Sequence, residues 1–171
     1  MFRKPAPLSD LHKFDGFDSG KPELDSFLFN MAQYNQREGH SRTFVIADAD
    51  YNVVGYHSLC AGMISRNNTP RQVGGHGAPR DIPVALLARL AVDRKFQRNG
   101  LGGALLRNAF NAVVSSAQLV AFRAVMVHAL DAEAASFYER YGFKAAKNLE
   151  RTLLKPVPDI IASLEAAIKS E

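Results

Sequence analysis

Two periods organise the apolar positions of this chain. From Pro22, a residue favoured in a first helical turn, Leu24, Phe27, Leu28, Met31 and Tyr34 recur at helical spacing, which predicts one helix ending at Gly39. Residues 43–49 and 53–63 read as strands joined by the turn Asp50-Tyr51-Asn52. Residues 65–80 are polar and rich in Gly, Pro and Arg, so they read as a loop. Residues 83–92 form a mostly apolar strand of the kind found in the middle of a sheet. A helix opening at Gly100 is expected to bury Leu101, Leu105, Ala109, Ala112 and Val113 on one face. Another strand lies within residues 119–130. Asp131 then stands where its carboxylate can accept an orphan N–H and cap a helix over 132–141, and Gly142 takes the position just past its end. Residues 143–147 and 151–155 close as strands. Ile161, Leu164 and Ile168 predict a terminal helix over 158–170, packed on the domain or on a partner.

The order is helix, hairpin, loop, strand, helix, strand, helix, strand. It predicts an α/β (α+β) domain with a mixed sheet flanked by helices on both faces, and not the strict βαβ repetition of a dinucleotide fold. The length, 171 residues, suits one domain over 1–171, and 47% apolar residues suffice for its core. No apolar run approaches the roughly 20 residues of a membrane helix, and residues 1–10 lack the apolar core of a secretion signal. A single cysteine, Cys60, rules out an internal disulfide framework and fits a reducing, cytoplasmic compartment. Flanked by Leu59 and Ala61, it reads as a small hydrophobe rather than a nucleophile.

The net charge of +4 is modest, but its distribution is uneven. Residues 66–107 carry eight basic side chains (Arg66, Arg71, Arg80, Arg89, Arg94, Lys95, Arg98 and Arg107) against two acids, Asp81 and Asp93, whereas residues 1–40 carry five basic and six acidic groups. A local positive field of this kind suits a polyanionic ligand. At its centre, the strand Leu90-Ala91-Val92 runs through a polar turn into Gln97-Arg98-Asn99-Gly100-Leu101-Gly102-Gly103 and onward into a helix. Glycines at a strand-to-helix junction leave backbone N–H groups bare at a positive helix end, which is a site for a diphosphate. No Gly-Lys-Ser/Thr follows, so a Walker loop is excluded, and a Rossmann turn would carry an acid at the next strand's end. The five histidines have no thiol or acidic partners at ligand spacing, so no metal is expected.

Gln97-x-x-Gly100-x-Gly102 after Leu90-Ala91-Val92, the strand-to-helix step at Leu130-Asp131, and Ser136-Phe137-Tyr138-Glu139-Arg140-Tyr141-Gly142-Phe143 together resemble the GNAT acetyltransferases. Phe14-Asp15-Gly16-Phe17-Asp18-Ser19-Gly20, Gly39-His40-Ser41-Arg42-Thr43-Phe44-Val45 and Ala88-Arg89-Leu90-Ala91-Val92-Asp93 narrow the resemblance to the GNAT toxins of type II toxin–antitoxin systems, over nearly the whole chain. One departure stands out: those toxins commonly place a glycine directly after the loop's glutamine, where this chain has Arg98 and Asn99.

The resemblance implies a GNAT fold with a mostly antiparallel sheet and acetyl-CoA as cosubstrate. It also implies acetylation of the amino group of aminoacyl-tRNA to block translation, a ribbon-helix-helix antitoxin, and a homodimer. It assigns the cofactor to Leu90, Ala91, Val92, Gln97, Arg98, Asn99, Gly100, Leu101, Gly102, Gly103 and Ser136, and the role of acid to Tyr138. Arg37, Arg42, Arg80 and Arg89 are the candidate contacts to tRNA phosphates. No general base stands out; His57, His76 and His128 are the alternatives, and a free α-amino group titrating near 8 needs little help. Two other readings stay open at this stage: an acetyltransferase for a small amine, an antibiotic or a protein N-terminus, and a module that binds acyl-CoA without transfer.

Overall fold

The computed structural model describes residues 1–170. Among them the chain forms β1 (Ala6–Pro7), α1 (Pro22–Asn30), α2 (Ala32–Glu38), β2 (Arg42–Ala47), β3 (Val53–Ser65), β4 (Asp81–Val92), α3 (Leu101–Ser116), β5 (Ala124–His128), α4 (Ala132–Arg140), β6 (Lys144–Ala145), β7 (Thr152–Pro156) and α5 (Val157–Lys169). The seven strands are ordered β1-β2-β3-β4-β5-β7-β6. β4 and β5 pair in parallel, as a crossover through α3 requires. The pairs β1–β2, β2–β3, β5–β7 and β6–β7 are antiparallel. This is the mixed sheet that the order of elements predicts.

The chain divides into two compact units, Met1–Cys60 with Ala88–Ala109, and Ala61–Leu87 with Phe110–Glu171. The first buries Phe17, Phe27, Leu28, Ala32, Val45, Tyr56 and Ala91 in one cluster, and Ile46, Val54 and Leu105 in another. Tyr56 lies between the rings of Phe17 and Phe27, and its hydroxyl donates to the Leu24 carbonyl at 2.6 Å. The second unit is built on Ile64, Val73, Ile82, Val84, Ala124, Met126 and Leu154.

Three expectations need correction. The single helix from Pro22 is two, because the backbone swings at Met31 (φ −123°, ψ −30°). The swing turns Ala32 into the core and leaves Met31 and Tyr34 exposed, so tertiary packing displaces the simple periodicity. In α3 the buried face is Leu105, Leu106, Ala109, Phe110 and Val113, while Leu101 and Ala112 are half-buried. In α5 the buried residues are Val157 and Ile160, and Ile161 and Ile168 face solvent.

Candidate active site

The glycine turn is anchored from below before it reaches its glycines. At the end of β4 the buried Asp93 accepts N–H bonds from Lys95 (2.9 Å) and from Asp18 (3.1 Å). Asp18 pairs in turn with the Arg94 guanidinium. Its carboxylate is held below the usual range, first by the Gly20 N–H and then by Arg94. The carboxamide of Gln97 donates to the carbonyls of Ser19 (3.0 Å) and Val92 (2.9 Å). Gln97 therefore acts through its side chain as a fastener between the turn, the strand end and the N-terminal segment.

Beyond this anchor the chain is open. Arg98 (φ 63°) and Gly100 (φ 80°) both take left-handed conformations, and Arg98, Asn99 and Gly100 are exposed. A side chain at Gly100 would meet nothing within 4 Å, so glycine is there for its backbone freedom rather than for lack of room. The first bond of the α3 ladder runs from the Ala104 N–H to the Gly100 carbonyl at 3.1 Å. The amides of Leu101, Gly102 and Gly103 precede it, with no carbonyl one turn back, and glycine has no side chain with which to cap them. Three donors and the positive end of a 16-residue helix converge here, a donor set that fits a diphosphate.

The end of β4 leads into this turn. Ala91 is buried, and the half-buried Leu90 and Val92 pack on the Ile46–Val54–Leu105 cluster. Gly55 on β3 permits the close approach, since a Cβ there would lie 3.0 Å from Leu105 and 3.3 Å from the Ala91 carbonyl. Arg89, half-buried, stacks its guanidinium 4.0 Å over the Phe27 ring. Burial pushes the Cys60 thiol's pKa up, against the opposing pull of Arg89. Arg42 donates to the Gln36 carbonyl at 2.6 Å, satisfying the end of α2, and the exposed Arg37 meets Glu38 at 3.4 Å.

His57 is sealed in. It is fully buried, stacked on Phe44, with Nε2 against Asn108 Oδ1 at 2.7 Å. Burial pulls its pKa down to about 4, and no proton acceptor role at the surface is open to it. His128 Nδ1 lies 3.0 Å from Thr152 Oγ1, and His76 is exposed in the loop before β4.

The second unit carries Tyr138, Ser136 and Arg80. Asp131 caps α4 by accepting the Ala134 N–H at 2.9 Å. Ser136 is exposed on that helix; Tyr138 is 6% exposed, set edge-on to Phe137 (5.2 Å) and Phe143 (5.4 Å). Its hydroxyl has no hydrogen-bond partner among the described residues, and burial pushes its pKa up. The C-terminal end of α4 is fixed by a residue that its sequence context did not single out. Lys155, on β7, donates to the Tyr141 carbonyl (2.7 Å) and to Ser163 Oγ (2.9 Å) beneath the positive-φ Gly142. Arg80 is exposed, and its carbonyl accepts the Arg66 N–H.

Among the described residues no cluster of His, Cys, Asp and Glu could hold a metal, and no helix is long and apolar enough to cross a membrane.

A glycine turn with free amides therefore opens α3 directly after β4, in a mixed seven-stranded sheet. The model of the GNAT acetyltransferase domain matches residues 40–145, and the chain belongs to the GNAT acetyltransferases. Its relatives narrow the class. A tRNA-acetylating toxin of Mycobacterium tuberculosis is 41% identical over 143 residues, covering 84% of this chain and 85% of the toxin. The structure of AtaT complexed with acetyl-methionyl-tRNAfMet matches with a TM-score of 0.87 at 26% identity, over 96% of this chain and 99% of that one. A tyrosine-to-phenylalanine mutant of AtaT, bound to the C-terminus of the antitoxin AtaR and to acetyl-CoA, matches with a TM-score of 0.79 at 27% identity, over 95% and 98%.

Proposed function

We propose that this acetyltransferase moves acetyl from acetyl-CoA to the α-amino group of an aminoacyl-tRNA, and that it thereby arrests translation as the toxin of a toxin–antitoxin pair. The observation that carries the reading is the uncapped start of α3, whose Leu101, Gly102 and Gly103 amides suit the diphosphate of CoA. The choice of acceptor is supported by the 41% identity to a tRNA-acetylating toxin.

Acetyl-CoA supplies an activated acyl carbon, at which a C–N bond forms as the C–S bond breaks. The chain's own residues do the rest. Amides of residues 98–103 hold the diphosphate with the α3 dipole behind them, and Arg98 adds a charge. The edge of Leu90, Ala91 and Val92 pairs with the pantetheine arm, as a strand pairs with a peptide. A backbone N–H there polarises the thioester carbonyl, a contribution of about 3–4 kcal/mol where such donors have been removed from other enzymes. Ser136, exposed midway along α4, lies in the second cofactor segment. Tyr138 is the acid. Its raised pKa keeps the phenol protonated at neutral pH; its proton goes to the departing sulfur, the acylated nitrogen releases a proton to water, and water restores the phenol. The amine needs no strong base, because an α-amino group titrates near 8 and esterification lowers it further.

Arg37, Arg42, Arg80 and Arg89 are the contacts to tRNA phosphates. The protein acts as one transferase domain over 1–171 in the cytoplasm, as a homodimer, and a ribbon-helix-helix antitoxin neutralises it.

Incubation with labelled acetyl-CoA and total charged tRNA tests this reading. Label is expected on the amino group of one or a few aminoacyl esters, with binding that weakens steeply with salt. Transfer to small amines or protein N-termini, with charged tRNA untouched, would overturn it.

A further inference from the structure

Part of the positive charge of residues 66–107 lies in the segment between β3 and β4, where Arg66 and Arg71 have no role assigned above. From Tyr51 to Arg80 the chain has no carboxylate side chain. The segment is also a built structure. Val73 is buried in the core of the second unit, and Thr69, also buried, donates from Oγ1 to the Arg66 carbonyl at 2.7 Å. Arg123 holds the carbonyls of Gln72 (2.7 Å) and Val73 (3.3 Å), and the Lys147 N–H reaches the Asn68 carbonyl at 2.8 Å. A Cβ at Gly74 would fall 1.8 Å from Thr69 Oγ1, so this backbone path admits only glycine there.

These anchors shape a hollow of about 380 Å³, lined by Arg66, Arg71, Gly74, Gly75, His76 and Gly77. Arg66 is pre-set, with Nη1 on the Ala78 carbonyl at 2.8 Å. Among the described residues neither Arg66 nor Arg71 is in an ion pair. Two forked guanidiniums, bare glycine backbone and an exposed imidazole therefore share one concave surface.

We propose that this hollow binds a phosphodiester of the RNA substrate, with an adjoining base stacked on His76. The inference rests on the aminoacyl-tRNA reading and adds a contact region to it. A tetrahedral phosphate suits guanidinium forks and a glycine backbone that can approach it closely. An unstacked base suits the flat imidazole. An acidic peptide is the poorer fit, because no apolar side chain lines the hollow to fix a peptide's register.

The test is the affinity of the full chain for deacylated total tRNA, measured across salt concentrations, alongside its affinity for acetyl-CoA. Arg71 is the residue to change, because its side chain makes no hydrogen bond or ion pair with the described residues. Arg71→Gln is expected to raise the Kd for tRNA about three- to tenfold and to lower the slope of log Kd against log salt by about one. Its Tm and its Kd for acetyl-CoA stay those of the parent, and Arg71→Lys retains most of the affinity. A parental Kd and salt slope in Arg71→Gln would overturn the hollow and leave the aminoacyl-tRNA reading standing. Failure of the parent itself to bind tRNA would overturn both. If Arg71→Gln bound tRNA normally and lost only an acidic antitoxin peptide, the hollow would belong to a protein partner and the proposal would fall.

Discussion

The two helices that follow the parallel strands begin in opposite ways. α4 starts on Asp131, whose carboxylate satisfies the Ala134 N–H and complements the helix dipole. α3 starts on Gly100, which can offer no such oxygen, and its first amides stay open. A helix start closed by its own side chain serves the fold. One left open forgoes about 1 kcal/mol of capping, and the outlay makes sense where a ligand supplies the missing oxygens. The open start of α3 belongs to the first unit, and α4 with Tyr138 belongs to the second.

Five substitutions probe the comparison, and the largest effect is expected at Tyr138. Tyr138→Phe keeps the ring and removes the proton. Turnover is expected to fall at least about tenfold, with the Kd for acetyl-CoA nearly unchanged; near-normal turnover would falsify the assignment. Next comes a deliberate closing of the open helix. Gly100→Asp has space around it, and aspartate tolerates the left-handed conformation. Its carboxylate should occupy the free amides, repel the diphosphate and weaken acetyl-CoA binding about tenfold. Gly100→Asn sharpens the comparison, since it caps without charge and should weaken binding less. If titration calorimetry gave both variants the parent's affinity, the open amides would have no part in binding.

The reciprocal change, Asp131→Ala, opens the closed helix. It should lower stability by about 1 kcal/mol in a urea melt, as the loss of an N-cap does elsewhere. The smallest effect concerns His57. Its pKa is about 4 in the fold against an ordinary 6.5, so between these values the unfolded chain binds the extra proton. Stability contributed by the neutral, buried ring is complete above about 6.5 and is lost as pH falls toward 4. A His57→Gln variant should show a flatter stability profile across that window. A parental slope would mean that other groups carry it.

Much of this was legible in the sequence because it is local. The strand ending at Val92, the glycines at 100, 102 and 103, the Asp131 cap and the position of Gly142 each depend on a few neighbours. What escaped depends on distant partners. The Gln97 carboxamide could be recognised as part of a motif, but its acceptors include Ser19, which is 78 residues away. Asp93 looks like a polar turn residue until the Asp18 amide is seen on its carboxylate. Lys155 closes the strand expected over 151–155, but nothing local reveals that it is buried against the end of α4, where burial lowers its pKa. The helix after Pro22 was misjudged for a similar reason. A single dihedral change at Met31 exchanges Ala32 for Met31 and Tyr34 in the core, and periodicity cannot register it.

The most direct measurement is a crystal structure of the protein soaked with acetyl-CoA. The account predicts diphosphate oxygens within about 3 Å of the Leu101, Gly102 and Gly103 amides, the usual reach of an N–H donor, with the thioester sulfur next to the Tyr138 hydroxyl. A carrier seated elsewhere, or amides turned onto protein acceptors, would contradict it.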